Sequence, residues 1–63
     1  MDEIQRLIIE TYGAVRLELR INWKTIESYY VVSYIKHQEV FNNIRDAKES
    51  FDLMVEKESE VNK

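Results

Sequence analysis

The chain has 63 residues, 44% of them hydrophobic and 33% charged, and this length predicts one small domain spanning residues 1–63. It contains no Cys, one His, one Gly and no Pro, which excludes disulfide frameworks, thiolate metal sites and Gly-rich phosphate loops. No apolar run approaches the ~18 residues of a membrane-spanning helix. The net charge of −3 argues against a dedicated nucleic-acid binder. We therefore expect a cytoplasmic protein without a membrane partner and without a cofactor.

The N-terminal segment has the spacing of a short helix over residues 2–12. Gly13 follows this segment directly, in the position where many helices end in a left-handed residue. The apolar face of the helix would consist of residues at i, i+3, i+4 and i+7, namely Ile4, Leu7, Ile8 and Thr11.

The next segment alternates strictly between apolar and polar residues from Val15 to Trp23. This pattern predicts a strand with one face on a core and the other in water. A loop over residues 24–27 leads to a second strand over residues 28–37, whose Tyr and Val residues have strong strand preference. The second strand is apolar on both faces, which is typical of a strand covered on both sides.

The length of this loop decides which residues share a face. A loop of two or four residues places Tyr30, Val32 and Tyr34 beside the apolar residues of the first strand, whereas a loop of three or five residues exchanges the faces. The four-residue loop is favoured because residues 24–27 are mostly polar. The second face then combines Tyr29, Val31 and Ile35 with Arg16, Glu18 and Arg20.

A turn over residues 36–39 is followed by Val40–Phe41, which is either a brief third strand or an extended lead-in to a helix. Asn43 is a suitable N-cap for a helix from Ile44 to about Glu58, and residues 59–63 are expected to form a frayed tail. The helix has an apolar stripe of Ile44, Ala47, Phe51, Met54 and Val55. The predicted fold class is α+β: one small antiparallel sheet, a β-hairpin with or without a short third strand, flanked by an N-terminal and a C-terminal helix. The order of elements is similar to the three-strands-plus-helix arrangement of integrase-arm and plant AP2-type DNA-binding domains, which read DNA with a basic sheet, but no motif here identifies a family.

The sequence predicts no catalytic residue and no metal site. His37 is the only imidazole, and no hydroxyl residue lies in a nucleophile motif. His37 and Glu39 alternate along one strand face and would supply two metal ligands, whereas a metal site usually needs three or four. A solvent-exposed His37 is the simpler interpretation.

The hairpin is expected to carry the binding surface. Residues 14–37 have a net charge of +2, whereas residues 1–13 have −2 and residues 38–63 have −3. The second face of the hairpin has the aromatic, apolar and arginine composition of interface cores. It would be covered by a helix as ordinary core, pair with a second copy in a homodimer, or bind nucleic acid by stacking and phosphate contacts. The candidate partner-binding residues are Arg16, Arg20, Trp23, Tyr29, Tyr30, Val31, Tyr34 and Ile35.

The outer side of the last helix presents a second candidate surface, an acidic stripe. Such a stripe is usually a solvated helix face, neutralised in part by neighbouring basic residues. The alternative is that it imitates a phosphate backbone and occupies a basic groove on a nucleic-acid enzyme. The stripe consists of Asp46, Glu49, Asp52, Glu56 and Glu60.

These features predict a small non-enzymatic protein–protein interaction module, a homodimer that binds and inhibits or redirects a larger partner enzyme. The residue types encoded by AT-rich codons (Phe, Tyr, Met, Ile, Asn and Lys) number 24, against 7 for Gly, Ala, Arg and Pro. This skew is typical of low-GC bacteria and their phages and suggests an anti-defence or host-takeover role for a phage or mobile element. The alternative is a small nucleic-acid-binding regulator that uses the hairpin face.

Overall fold

The computed structural model describes residues 3–61, which form four strands followed by one helix. In chain order these are β1 (Ile4–Tyr12), β2 (Val15–Asn22), β3 (Glu27–Tyr34), β4 (His37–Phe41) and α1 (Ile44–Val61). The sheet has the order β1-β2-β3-β4, and every neighbouring pair is antiparallel. Because α1 packs against β2, β3 and β4, we call the side that it covers the helix face and the other side the open face.

The prediction of an N-terminal helix is wrong, because residues 4–12 form the edge strand β1. The segment contains β-branched residues and ends in an aromatic residue, Tyr12, and both types favour strands. Gly13 has φ +58° and opens a two-residue turn that returns the chain to Val15. The predicted hairpin between two helices is thus replaced by a four-stranded meander with one helix. Residue 2, the start of the predicted helix, lies outside the described residues.

The faces predicted for β2 and β3 are confirmed. The connecting loop has four residues, 23–26, and begins one residue earlier than expected. Leu17 lies opposite Val32, and Leu19 lies opposite Tyr30, all on the helix face. This register differs from the expected one by two residues, and an even displacement leaves the side chains within β2 and β3 on their predicted faces. Trp23 and Ile35 were expected within these strands, but they lie in the connecting loop and in the turn after β3.

The third connection is shorter and the fourth strand longer than predicted. A two-residue turn, Ile35–Lys36, leads into β4, which begins at His37 rather than at Val40. Ile35 has φ +56°, a left-handed conformation that is costly for a β-branched residue. The two-residue turn at Ile35–Lys36 reverses the chain, so that His37 lies opposite Tyr34 and β4 pairs with β3.

The core lies between α1 and the part of the sheet nearest the β1–β2 turn. The start of α1 at Ile44 is confirmed, and the Asp46 N–H donates to Oδ1 of the cap residue Asn43 at 2.9 Å. The helix continues past the expected end at Glu58 to Val61, and residues 62 and 63 lie outside the described part. The buried apolar cluster consists of Val15, Leu17, Val32, Ala47, Phe51 and Met54.

Glu58, near the end of α1, packs against Gly13 in the β1–β2 turn. This side chain is largely buried, and the Tyr34 hydroxyl donates a hydrogen bond to it. A Cβ at Gly13 would lie 3.0 Å from the Glu58 Cγ atom, so the turn has little room for a side chain. Glycine therefore fits this position on two grounds, because it adopts the positive φ without strain and leaves room for the Glu58 side chain.

Candidate functional site

The open face carries the side chains that alternate with the core residues along each strand. No element among residues 3–61 covers this face, because α1 packs on the other side. Its charged residues are three arginines and two glutamates, without a lysine. The open-face residues, assigned from the strand register, are Ile4, Arg6, Ile8, Thr11, Arg16, Glu18, Arg20, Asn22, Glu27, Tyr29, Val31, Ser33, Gln38 and Val40.

A row of residues crosses the middle of the open face at right angles to the strands. Ile8 lies opposite Glu18, Glu18 opposite Val31, and Val31 opposite Val40. Val31 is 1% exposed and Glu18 is 3% exposed although no helix lies over them, so neighbouring side chains on the sheet shield both. At the two ends of the row, Ile8 and Val40 remain 61% and 63% exposed. The row therefore has a shielded centre and one accessible apolar residue at each end.

Glu18 holds two arginines in fixed positions beside this row. The Arg16 Nη1 and Arg20 Nε atoms lie 3.3 Å and 3.2 Å from the two carboxylate oxygens of Glu18. Because each arginine uses one nitrogen for this contact, its remaining N–H donors are available to a ligand. Arg20 is mostly covered, whereas half of the Arg16 side chain is exposed. The pairing orders both side chains before a ligand binds.

Arg6 lies directly opposite Arg20 on the same face. Like charges in a cross-strand pair are destabilising unless another charge compensates them. The Glu18 carboxylate compensates the charge of Arg20. With three arginines and two glutamates, the open face keeps a net positive charge. Tyr29, opposite Arg20 on the other side, places an aromatic ring beside the arginines.

The structure separates the partner-binding residues predicted from sequence into three groups. Arg16, Arg20, Tyr29 and Val31 lie together on the open face, with Val31 buried in it. Tyr30 and Tyr34 pack against the core cluster on the helix face, because they pair with the inward-facing residues of β2. Ile35 lies in the β3–β4 turn and Trp23 in the β2–β3 loop, both outside the strands.

A second apolar surface lies on the helix face, where α1 does not extend. Burial along β2 decreases away from the β1–β2 turn, from fully buried Val15 and Leu17 to half-buried Leu19 and Ile21. Leu7, opposite Leu19 in β1, is 42% exposed, and Trp23 is 55% exposed. The sequence pattern had suggested that the whole apolar face of β2 is core. We call this surface the apolar patch, and it consists of Gln5, Leu7, Leu19, Ile21 and Trp23.

Trp23 is held against β1 at the end of this patch. Its indole Nε1 donates to Gln5 Oε1 at 2.9 Å, and its backbone N–H donates to the Glu3 carbonyl at the same distance. The ring is therefore oriented by two contacts while much of its surface remains accessible. Neither Gln5 nor Leu7 is among the site residues predicted from sequence, because the spacing of the N-terminal segment predicts a helix over residues 2–12.

The acidic stripe lies on α1 as predicted, and all five of its residues are exposed. Two of them already have partners. The Asp46 carboxylate accepts a hydrogen bond from the Asn43 side chain at 3.0 Å, and Asp52 lies 3.5 Å from the Lys48 ammonium. A side chain that caps its own helix is less available to an external ligand, so the stripe is a weaker candidate than the open face.

His37 and Glu39 do contact each other, with Nε2 and Oε1 2.9 Å apart at the surface. Across residues 3–61, no group of three or more His, Cys, Asp or Glu side chains is close enough to hold a metal ion. A shallow cleft of about 370 Å³ between β4 and α1 is lined by Glu39 and Phe41 among others. His37 therefore takes part in a hydrogen bond at the surface.

Comparisons with protein-family models, curated proteins and solved structures find no match to this chain. In the described part of the chain, α1 is too polar to cross a membrane. A function for the chain is therefore inferred from the geometry of the open face and of the apolar patch.

Proposed function

We propose that the chain is a small non-enzymatic protein-binding module that uses its open face to cover a surface of a larger partner enzyme. Binding would inhibit or redirect that enzyme by occlusion, in an anti-defence or host-takeover role for a phage or mobile element. The observation that carries this proposal is a sheet face with interface composition that no element among residues 3–61 covers.

The chemistry of the open face defines the partner surface that it fits. Ile8 and Val40 offer exposed apolar contacts at its two edges, and Tyr29 adds a rigid aromatic ring. Arg16 and Arg20 are held by Glu18, so less side-chain entropy is lost when they bind. The complementary surface would be apolar opposite Ile8 and Val40 at the two edges and would carry carboxylates or carbonyl oxygens opposite the arginines between them.

The proposal is tested by capture from a nuclease-treated bacterial lysate with three tagged full-length proteins. These are the wild type, Val40→Lys on the open face and Leu53→Lys on the exposed side of α1, where Leu53 is 59% exposed. Lys is well tolerated on an edge strand such as β4, so both variants should fold. We expect Val40→Lys to reduce the retained protein by at least about tenfold, since it desolvates a charge in the contact. Equal capture by all three proteins would contradict the proposal.

A nucleic-acid-binding regulator is the second candidate, and the pairing of Arg6 with Arg20 favours it. Two guanidinium groups facing each other suit a phosphate, and Tyr29 beside them could stack on a base. This function predicts binding to labelled oligonucleotides that falls about tenfold when salt rises fourfold, as expected for about two phosphate contacts. Arg16→Ala would weaken it further. Binding that survives both nuclease and salt would instead support the protein partner.

A further inference from the structure

We infer that the apolar patch of one copy packs face to face on the apolar patch of a second copy, forming a two-fold homodimer. The patch lies on the helix face, so this inference is independent of the function proposed for the open face. The partner is a second copy of this chain, for three reasons: charge, area and shape.

The charge argument distinguishes the patch from the other two surfaces. In a two-fold contact, residues near the axis face their own copies, so a charged side chain there meets an identical charge. A two-fold contact centred on the arginines of the open face would oppose them to each other, and one centred on the acidic stripe would oppose its carboxylates. The helix-face positions of β1, β2 and β3 beyond Leu17, together with Trp23, carry no charge: Gln5, Leu7, Leu19, Ile21, Trp23, Ser28 and Tyr30.

A single copy also exposes more surface than a compact monomer of its mass. Its accessible surface is 4876 Å², against about 4,300 Å² expected for a compact monomer of 7.6 kDa. The excess of about 600 Å², counted over the whole surface of one copy, is of the size that the smaller specific interfaces bury on each side. The radius of gyration of 12.5 Å also exceeds the value of about 10.6 Å for a compact chain of this length. One copy alone is thus less compact than its size predicts.

On the helix face, α1 covers only part of the sheet and stands above the uncovered apolar patch. The helix is about 10 Å across, and two packed sheets lie about 10 Å apart. A second sheet lying on the patch would therefore fill the space beside α1 at the same height. Each copy would supply the layer that α1 does not provide over Leu19 and Ile21.

Four variants of the full chain test the dimer in two matched pairs. Leu7→Lys places a charge in the patch, and Leu53→Lys makes the same change on the exposed side of α1. Gln5→Glu also charges the patch but keeps an oxygen to accept the Trp23 indole hydrogen bond, so it should preserve the fold. Its control is Gln38→Glu on the open face.

Mass would be measured by analytical ultracentrifugation over a dilution series, together with the emission of Trp23, the single tryptophan. We expect the mass of the wild type and of both controls to reach twice 7.6 kDa at high concentration. The Trp23 emission should shift to the blue over the same concentration range in which the mass rises. Leu7→Lys and Gln5→Glu should each weaken the dimer by about 30-fold or more.

Two results would overturn the inference. The first is a wild-type chain whose mass stays at 7.6 kDa up to millimolar concentration. This result would overturn the inference even if a different protein shields Trp23 on binding. The second is a dimer that responds equally to the patch variants and to their controls. Neither result affects the function proposed for the open face, because Val40→Lys tests that function separately.

Discussion

At the scale of single residues, Tyr34 links the protonation of a side chain to the stability of the fold. Burial and the neighbouring Glu58 carboxylate, which accepts the phenol hydrogen bond, raise the pKa of Tyr34 above the ordinary value of 10.0. The native state therefore favours the protonated phenol more than the unfolded chain does. Its contribution to stability is complete below the ordinary tyrosine pKa and is lost as pH rises through the raised folded-state pKa.

We predict that the free energy of unfolding of the wild type falls at alkaline pH and that Tyr34→Phe makes this fall shallower. Some dependence of stability on pH should remain in the variant, because a hydrogen bond to Glu10 raises the pKa of Lys48. A raised lysine pKa also makes the free energy of unfolding fall as pH rises. Urea denaturation at a series of pH values measures the effect. Tyr29→Phe on the open face serves as the control, and an equally shallow curve for both variants would contradict the role of Glu58.

At the scale of the elements, the first turn of α1 depends on a reciprocal cap. Asn43 Oδ1 accepts from the Asp46 N–H, and the Asn43 amide donates to the Asp46 carboxylate. We predict that Asn43→Ala lowers stability by about 1 kcal/mol, which shifts the Tm by roughly 4–8 °C in a domain of this size. Asn42→Ala, one residue before the cap, should change stability by less than about 0.5 kcal/mol. Thermal denaturation followed by circular dichroism measures both, and equal shifts would refute the capping role.

The elements also show how far the sequence determines the fold. Strict alternation predicts β2 because a strand with one covered face has few alternatives, and Asn43 predicts the start of α1 for an equally local reason. β1 was misjudged because its apolar residues also fit a helical spacing, and Gly13 fits both a helix end and a hairpin turn. What decides between the two structures is pairing with β2, a contact between segments that a local pattern does not contain.

The same distinction applies to the candidate surfaces. Tyr29, Val31, Arg16 and Arg20 could be placed on one face from strand parity alone, since that depends only on alternation and the loop length. The apolar patch could not be predicted, because it depends on where α1 ends over the sheet. Its residue Leu7 was further hidden by the wrong assignment of β1.

At the scale of the whole molecule, the two surfaces lie on opposite faces of one sheet. A dimer through the apolar patch would leave both open faces exposed and directed outward. Two linked open faces increase the apparent affinity for a partner that presents two sites, through effective concentration. The inferred dimer and the proposed protein-binding function are therefore compatible, although each is tested separately.

The packing of α1 predicts a gradient of local stability across the sheet. α1 packs against β2, β3 and β4 but reaches β1 mainly through the Lys48–Glu10 ion pair at 2.8 Å, and every residue of β1 is exposed. Strand β1 also has a register shift between Ile8 and Glu10, which interrupts its ladder with β2. We predict that β1 opens without global unfolding, so its amides exchange with solvent faster than those of β2 and β3. Native-state hydrogen exchange at a concentration where the chain is monomeric measures this order, and equal protection across all four strands would show that the sheet opens only as a unit.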